Sequence, residues 1–141
     1  MGASSKPGIA VAAGILADQA GRVLITRRPE GSDQGGWWEF PGGKIRAGET
    51  PLQGLVRELD EELGIIVQSA SALLTYAHEY PDRVIKLHVW RIWEYAGRPA
   101  GLEGQPLRWV PVSELMDGGL LPADRPIVDA LQQIISSNST S

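Results

Sequence analysis

Between Thr50 and Gly64 the chain reads TPLQGLVRELDEELG. Thr50 with Gln53 three positions on is a capping box, Pro51 suits the first helical position, and Gly64 follows the last periodic leucine. Both ends of a helix over Pro51–Leu63 are therefore written locally. At 3.6 residues per turn, Leu52, Leu55, Val56, Leu59 and Leu63 share one stripe, while Glu58, Glu61 and Glu62 share an adjacent arc of about 100°. Asp60 projects to the other side, into solvent. Like charges three or four residues apart on a helix cost about 0.2–0.5 kcal/mol per pair, so the crowding needs a reason. The acids are either a solvated face or a set of hard oxygen ligands for Mg²⁺ or Mn²⁺, whose charge would offset the repulsion.

Outward from that helix, the apolar run from Ile9 to Ala17 followed by DQAG and RVLITRR reads as strand, turn, strand, the second over Arg22–Arg28. Lys6 before an apolar run imitates a short signal peptide, but the hairpin pattern after it reads as strand. A glycine-rich loop, PEGSDQGG, leads to WWEFPGG, a short aromatic strand ending at a Pro-Gly-Gly turn. Beyond the helix, apolar strands run from about Ile65 to His78 and from Val84 to Tyr95 around the turn at Pro81-Asp82. LRWVPV is a last strand, and Arg125 to Ile135 a closing helix. Residues 1–6 read as a disordered lead and 136–141 as a disordered polar tail, leaving one domain over 7–135. Strands interleaved with two good helices predict an α/β chain with a mixed sheet covered on both faces.

Composition narrows the chemistry. With 141 residues and 43% of them hydrophobic, the chain can bury a core as one domain. A net charge of −4 supplies no basic footprint for duplex nucleic acid or an anionic membrane. If the ligand carries phosphates, metal ions must bring much of the positive charge. The chain contains no cysteine, which excludes disulfides, thiolate zinc sites and a cysteine nucleophile. No run approaches the ~20 apolar residues of a membrane span, and a cytoplasmic protein is the expectation.

From Gly43 to Ile65 the chain reads GKIRAGETPLQGLVRELDEELGI. A glycine, five residues, Glu49, seven residues, Arg57-Glu58, an aliphatic, any residue, Glu61-Glu62, any residue, glycine and an aliphatic together resemble the Nudix box without a departure. ITRR, EFPGGKI, GETP, YPDR, EGQP and ADRP extend the likeness from Ile9 to Leu131 and look like the MutT subgroup, the 8-oxo-dGTP diphosphatases. The resemblance implies the Nudix α/β/α sandwich with its mixed sheet between helices. It implies hydrolysis of a small nucleoside triphosphate to a monophosphate and pyrophosphate, with Mg²⁺ or Mn²⁺ as cofactor, by a monomer or weak dimer.

On that resemblance Glu58, Glu61 and Glu62 ligate metal with the Gly42 carbonyl, and Glu103 in EGQP is a further ligand and candidate general base. A glutamate of the helix could share that proton transfer. Arg57, an always-charged planar donor, would fix a glutamate's orientation, and Glu49 would pair with it; an inert surface pair is the alternative for Glu49. Arg28, Phe40, Tyr80, Asp82 and Arg83 match positions that line or close over the nucleotide, with Arg27 facing the other side of its strand. The five tryptophans are assigned to packing, and His78 and His88 to structure. One position departs from the subgroup, where an asparagine stands in place of Asp124. An amide can donate to the purine O6 and accept from the N7–H that oxidation creates, whereas an ionised Asp only accepts. Asp124 either reads the base, protonated if buried, or caps the closing helix. Two other functions stay open: a Nudix pyrophosphatase for ADP-ribose, NADH or a dinucleoside polyphosphate, and a non-catalytic nucleotide sensor.

Overall fold

The computed structural model describes residues 6–139. Seven strands and two helices follow one another as β1 Gly8–Ile15, β2 Arg22–Arg27, β3 Trp38–Glu39, β4 Gly42–Lys44, α1 Pro51–Leu63, β5 Ile66–Glu79, β6 Val84–Ala96, β7 Leu107–Pro111 and α2 Arg125–Ser139. One sheet has the order β4-β1-β6-β5, with β1 and β6 parallel and the other pairs antiparallel; the second, antiparallel, has the order β3-β2-β7. No helix among the described residues is long and apolar enough to cross a membrane.

The period of two along β1 and β2 divides the core into two layers. Ala12, Leu16 and Leu24 pack with Leu55, Leu59 and Leu63 of α1, while Ala13, Ile15, Val23 and Ile25 pack with Ile127, Val128 and Leu131 of α2. Each sheet face is thus covered by a helix, the α/β/α arrangement expected. α1 keeps the boundaries its caps specify: Thr50 Oγ1 accepts from the Gln53 amide, Gln53 Oε1 accepts from the Thr50 amide, and Gly64 ends the helix at φ 71°.

Three features differ from the sequence reading. The Pro-Gly-Gly segment is not only a turn, because Gly42–Lys44 forms β4 against β1, pairing Ala13 with Gly42 and Val11 with Lys44. Two glycines give no side-chain pattern by which a strand could be seen. α2 continues to Ser139, past the Ile135 boundary, since a helix already nucleated by apolar turns propagates cheaply through polar residues. Lys6, placed in the lead, pairs with Glu79 at 2.5 Å; residues 1–5 and 140–141 lie outside the described residues. Among the tryptophans, Trp38, Trp90 and Trp109 pack against the core, but Trp37 and Trp93 are exposed. Trp93 lies under the Arg91 guanidinium at 4.2 Å and donates to Ser71.

Because Leu59 is fully buried between α1 and the sheet, Leu59→Ala is expected to cost about 2–5 kcal/mol in urea unfolding. Thr50→Ala, which removes one cap, is expected to cost about 1 kcal/mol. A cap loss larger than the core loss would contradict packing as the source of this helix's stability.

Candidate active site

The acidic stripe of α1 is organised by one cation. Arg57 grips Glu49 with two parallel bonds, Nε to Oε2 at 2.7 Å and Nη2 to Oε1 at 3.0 Å, and its Nη2 also donates to the Lys44 carbonyl of β4 at 2.9 Å. Its Nη1 donates to Glu58 at 2.8 Å and reaches Glu61 at 3.4 Å. Glu49 also accepts from the Arg46 amide, and these bonds, the Arg57 pair foremost, hold its carboxyl down at about 2. A charge this well paired is fixed in geometry, so Glu49 and Arg57 form an orienting frame and not a loose surface pair.

The glycines of β4 admit the acids. A Cβ on Gly43 would stand 2.5 Å from the Glu58 carboxyl, and one on Gly42 would stand 1.9 Å from the Ala12 carbonyl oxygen. Backbone alone fits between β1 and the stripe. The Gly42 amide donates to Glu62 Oε2 at 3.1 Å. Glu103 is brought alongside by its loop: Gln105 Nε2 donates to the Glu62 carbonyl, Gln105 Oε1 accepts from the Glu103 amide, and the Leu102 amide donates to the Glu62 carbonyl at the end of α1.

This set is short of positive charge. Glu62 is pushed up to about 8, first by burial and then by the negative charges of Glu58 and Glu103, with only the Gly42 amide opposing. Hard carboxylate oxygens crowded until one keeps its proton at neutral pH are the donor set a divalent cation relieves. Among the described residues no three acid or imidazole side chains already converge as a ligand set. Arg57 draws Glu58 and Glu61 to itself, and Glu61 also lies 3.7 Å from Arg46, while the Gly42 amide holds Glu62.

β4 also borders a cavity of about 370 Å³ whose walls include Gly42, Gly43, Arg28, Phe40, Tyr80, Arg83 and Asp124. Six sequence-predicted positions, Arg28, Phe40, Gly42, Tyr80, Arg83 and Asp124, thus meet there. Asp82 does not line it; its carboxyl is exposed and turned to Arg83 at 2.9 Å. Arg27 faces away, as expected, and pairs with Glu30. Among the polar lining residues, Asp33, Gln34, Glu39, Lys44 and His78 escaped the sequence reading. Arg83 pairs with Asp33 at 2.5 Å and lies over the Tyr80 ring, and the Tyr80 hydroxyl donates to Gln34, so the loop after β2 is latched to the β5–β6 turn. His78, read as structural, packs edge-on against Tyr80. Its strand position beside a cavity could not be told from spacing. For Glu39 a signal existed, an acid inside an aromatic strand.

Asp124 is 6% exposed, and its carboxyl accepts from the Phe40 amide. That bond directs it to the cavity wall. Burial, then the charge of Glu39, push it up to about 7 against the pull of the Phe40 amide and Arg28.

The Glu62 shift has a stability consequence with a definite sign. A carboxyl whose folded value is raised from 4.5 to about 8 favours folding fully below 4.5, and the contribution is lost as pH rises towards 8. Without added metal, Glu62→Gln is therefore expected to melt several degrees above the parent at pH 8 and close to it at pH 5. Equal melting differences at both values would contradict a buried, like-charged Glu62.

A NUDIX domain model matches residues 12–130. An 8-oxo-dGTP diphosphatase of Haemophilus influenzae is 42% identical over 87% of this chain and 90% of its own. A CTP pyrophosphohydrolase of Escherichia coli is 38% identical over 89% and 93%. The solution structure of the E. coli ORF135 protein superposes with a TM-score of 0.83 at 37% identity, covering 94% of each chain. The sandwich built on β1, the capped acidic helix and the near-complete span of the match place this chain in the Nudix family.

Proposed function

We propose that the chain is a divalent-metal-dependent nucleoside triphosphate diphosphatase that hydrolyses 8-oxo-dGTP to 8-oxo-dGMP and pyrophosphate, clearing an oxidised purine from the cytoplasmic nucleotide pool. The observation that carries the reading is a single cavity whose walls include both Asp124, a buried hydrogen-bonding group suited to a base, and the Gly42–Gly43 backbone pressed against Glu58 and Glu62. Relatives named 8-oxo-dGTP diphosphatase support the substrate.

In this reading Glu58, Glu61, Glu62 and Glu103, with the Gly42 carbonyl, hold Mg²⁺, or Mn²⁺ in its place. The bound ions supply charge neutralisation on the phosphates and a more acidic water. The residues do the rest. Arg57, itself fixed by Glu49, keeps Glu58 in place. Arg28 and Arg83 bring positive charge to the cavity wall, where an anionic substrate needs it. Glu103, within electrostatic reach of Glu62, is placed to take the proton from the attacking water, a step a helix glutamate can share. Phe40 and Tyr80 flank the base.

Asp124 gives the base chemistry its pH dependence. With its proton, below about 7, the carboxylic acid donates once and accepts once, as an asparagine amide does, and matches the O6 and N7–H of the oxidised purine. Above that it only accepts, and meets O6 unfavourably. A second reading, a cytidine triphosphate substrate, is favoured by the relative named CTP pyrophosphohydrolase; cytosine's amino group suits an acceptor.

Glu58→Gln and Glu61→Gln are expected to abolish metal-dependent pyrophosphate release with circular dichroism unchanged, and full activity in either would remove the helix from the chemistry. A panel of 8-oxo-dGTP, dGTP, CTP and ADP-ribose with Mg²⁺ tests the substrate. Equal kcat/KM for 8-oxo-dGTP and dGTP would defeat the sanitising role and leave the hydrolase. For 8-oxo-dGTP, the ratio of parent to Asp124→Asn kcat/KM is expected to fall as pH rises through about 7; a flat ratio would take the Asp124 proton out of base reading.

A further inference from the structure

The short turn Pro122–Asp124 forms part of the cavity wall, since Leu121, Ala123 and Asp124 all line it. Two separate elements grip that turn. From the β3 segment, the Trp38 carbonyl accepts from the Leu121 amide at 2.9 Å, and the Phe40 amide donates to the Asp124 carboxyl. From β5, the Tyr76 hydroxyl donates to the Ala123 carbonyl at 3.0 Å, across 47 residues of sequence. Tyr76 does not itself line the cavity. It packs against the core layer that holds Ile127 and Val128, and pairs in register with Leu87, which does line the cavity. Its hydroxyl stays a donor, because burial first and the charge of Asp124 next raise it well above the ordinary tyrosine value.

Packing in that layer asks only for the ring. The hydroxyl adds a fixed distance from the sheet to the backbone of the residue before Asp124. A carboxyl that reads a base must meet it within hydrogen-bond geometry, which weakens steeply with misalignment, and a shift of about 1 Å in a positioning group is enough to lose activity. We propose that Tyr76 is a positioning residue for base recognition: its hydroxyl, bonded to the Ala123 carbonyl, sets where the Asp124 carboxyl stands in the cavity, and the base discrimination of the site depends on it. The inference rests on the reading of Asp124 as the base contact. With the Phe40 amide on the carboxyl and Tyr76 on the backbone behind it, Asp124 is held at both ends, as preorganised recognition requires.

The test is a double-variant cycle. Parent, Tyr76→Phe, Asp124→Ala and the two combined are assayed with 8-oxo-dGTP, dGTP and CTP in Mg²⁺, and the ratio of kcat/KM between the parent's best and poorest substrates is read for each. Tyr76→Phe keeps the ring in the core and removes one hydrogen bond, so it is expected to lower that ratio about two- to tenfold. The fall is expected as a raised KM for the best substrate, with the poorest left near the parent's values. In the Asp124→Ala background the same change is expected to leave the ratio unaltered, because the group it positions is gone. A purely structural tyrosine would lower the melting temperature and leave the ratio as in the parent, which overturns the proposal. A ratio that falls equally with and without Asp124 also overturns it, since the hydroxyl would then act elsewhere. A parent that turns over all three substrates equally overturns it without any variant. An Asp124→Ala ratio equal to the parent's would defeat the base reading of Asp124, and the absence of pyrophosphate from every triphosphate would defeat the hydrolase reading; either takes this proposal with it.

Discussion

Four glutamates and the end of a glycine strand occupy a space in which like charges raise one another's energy, and the structure works because one guanidinium absorbs part of that repulsion. Arg57 is almost fully committed: two bonds to Glu49, one each to Glu58 and Lys44, and a longer reach to Glu61. Its planar fork explains the arginine, since the single ammonium of a lysine could not hold Glu49 bidentately and still reach Glu58. What Arg57 does not neutralise is left on Glu62, which is buried beside Glu58 and Glu103 and keeps its proton to about 8. The positive charge missing from the protein defines the ligand it is suited to.

The fold's contribution is proximity. β4 lies between β1 and α1 without side chains in the way, because Gly42 meets the Ala12 carbonyl and Gly43 meets the Glu58 carboxyl. The same strand presents its backbone to the cavity. β4 thus borders both the acidic stripe and the cavity, and the amides of Phe40 and Gly42 hold Asp124 and Glu62. The carboxyls of Asp124 and Glu39 line a cleft that also carries Ile9, Val11, Ile85, Leu87 and Leu121, and burial raises both.

What the sequence by itself determined is whatever is encoded locally. α1 begins at a capping box and ends at a left-handed glycine, so Pro51–Leu63 was legible to the residue, and 3.6 periodicity separated Leu55, Leu59 and Leu63 from Glu58, Glu61 and Glu62. The apolar runs of β1 and β2, in a chain of strands interleaved with two helices, likewise announced a sheet covered on both faces. Only the tertiary structure decided what depends on partners distant in the chain. Gly42–Lys44 is a strand because β1 offers it a ladder. His78 and Asp33 reach the cavity because a loop and a hairpin latch together across about fifty residues of sequence. Asp82, adjacent to Arg83, turns outward although the motif groups the two. Asp124, which sequence left divided between helix cap and base contact, is directed to the cavity by the amide of Phe40. Caps and periodicity are short-range properties of the backbone, whereas burial and charge at a site are sums over neighbours that no single segment contains.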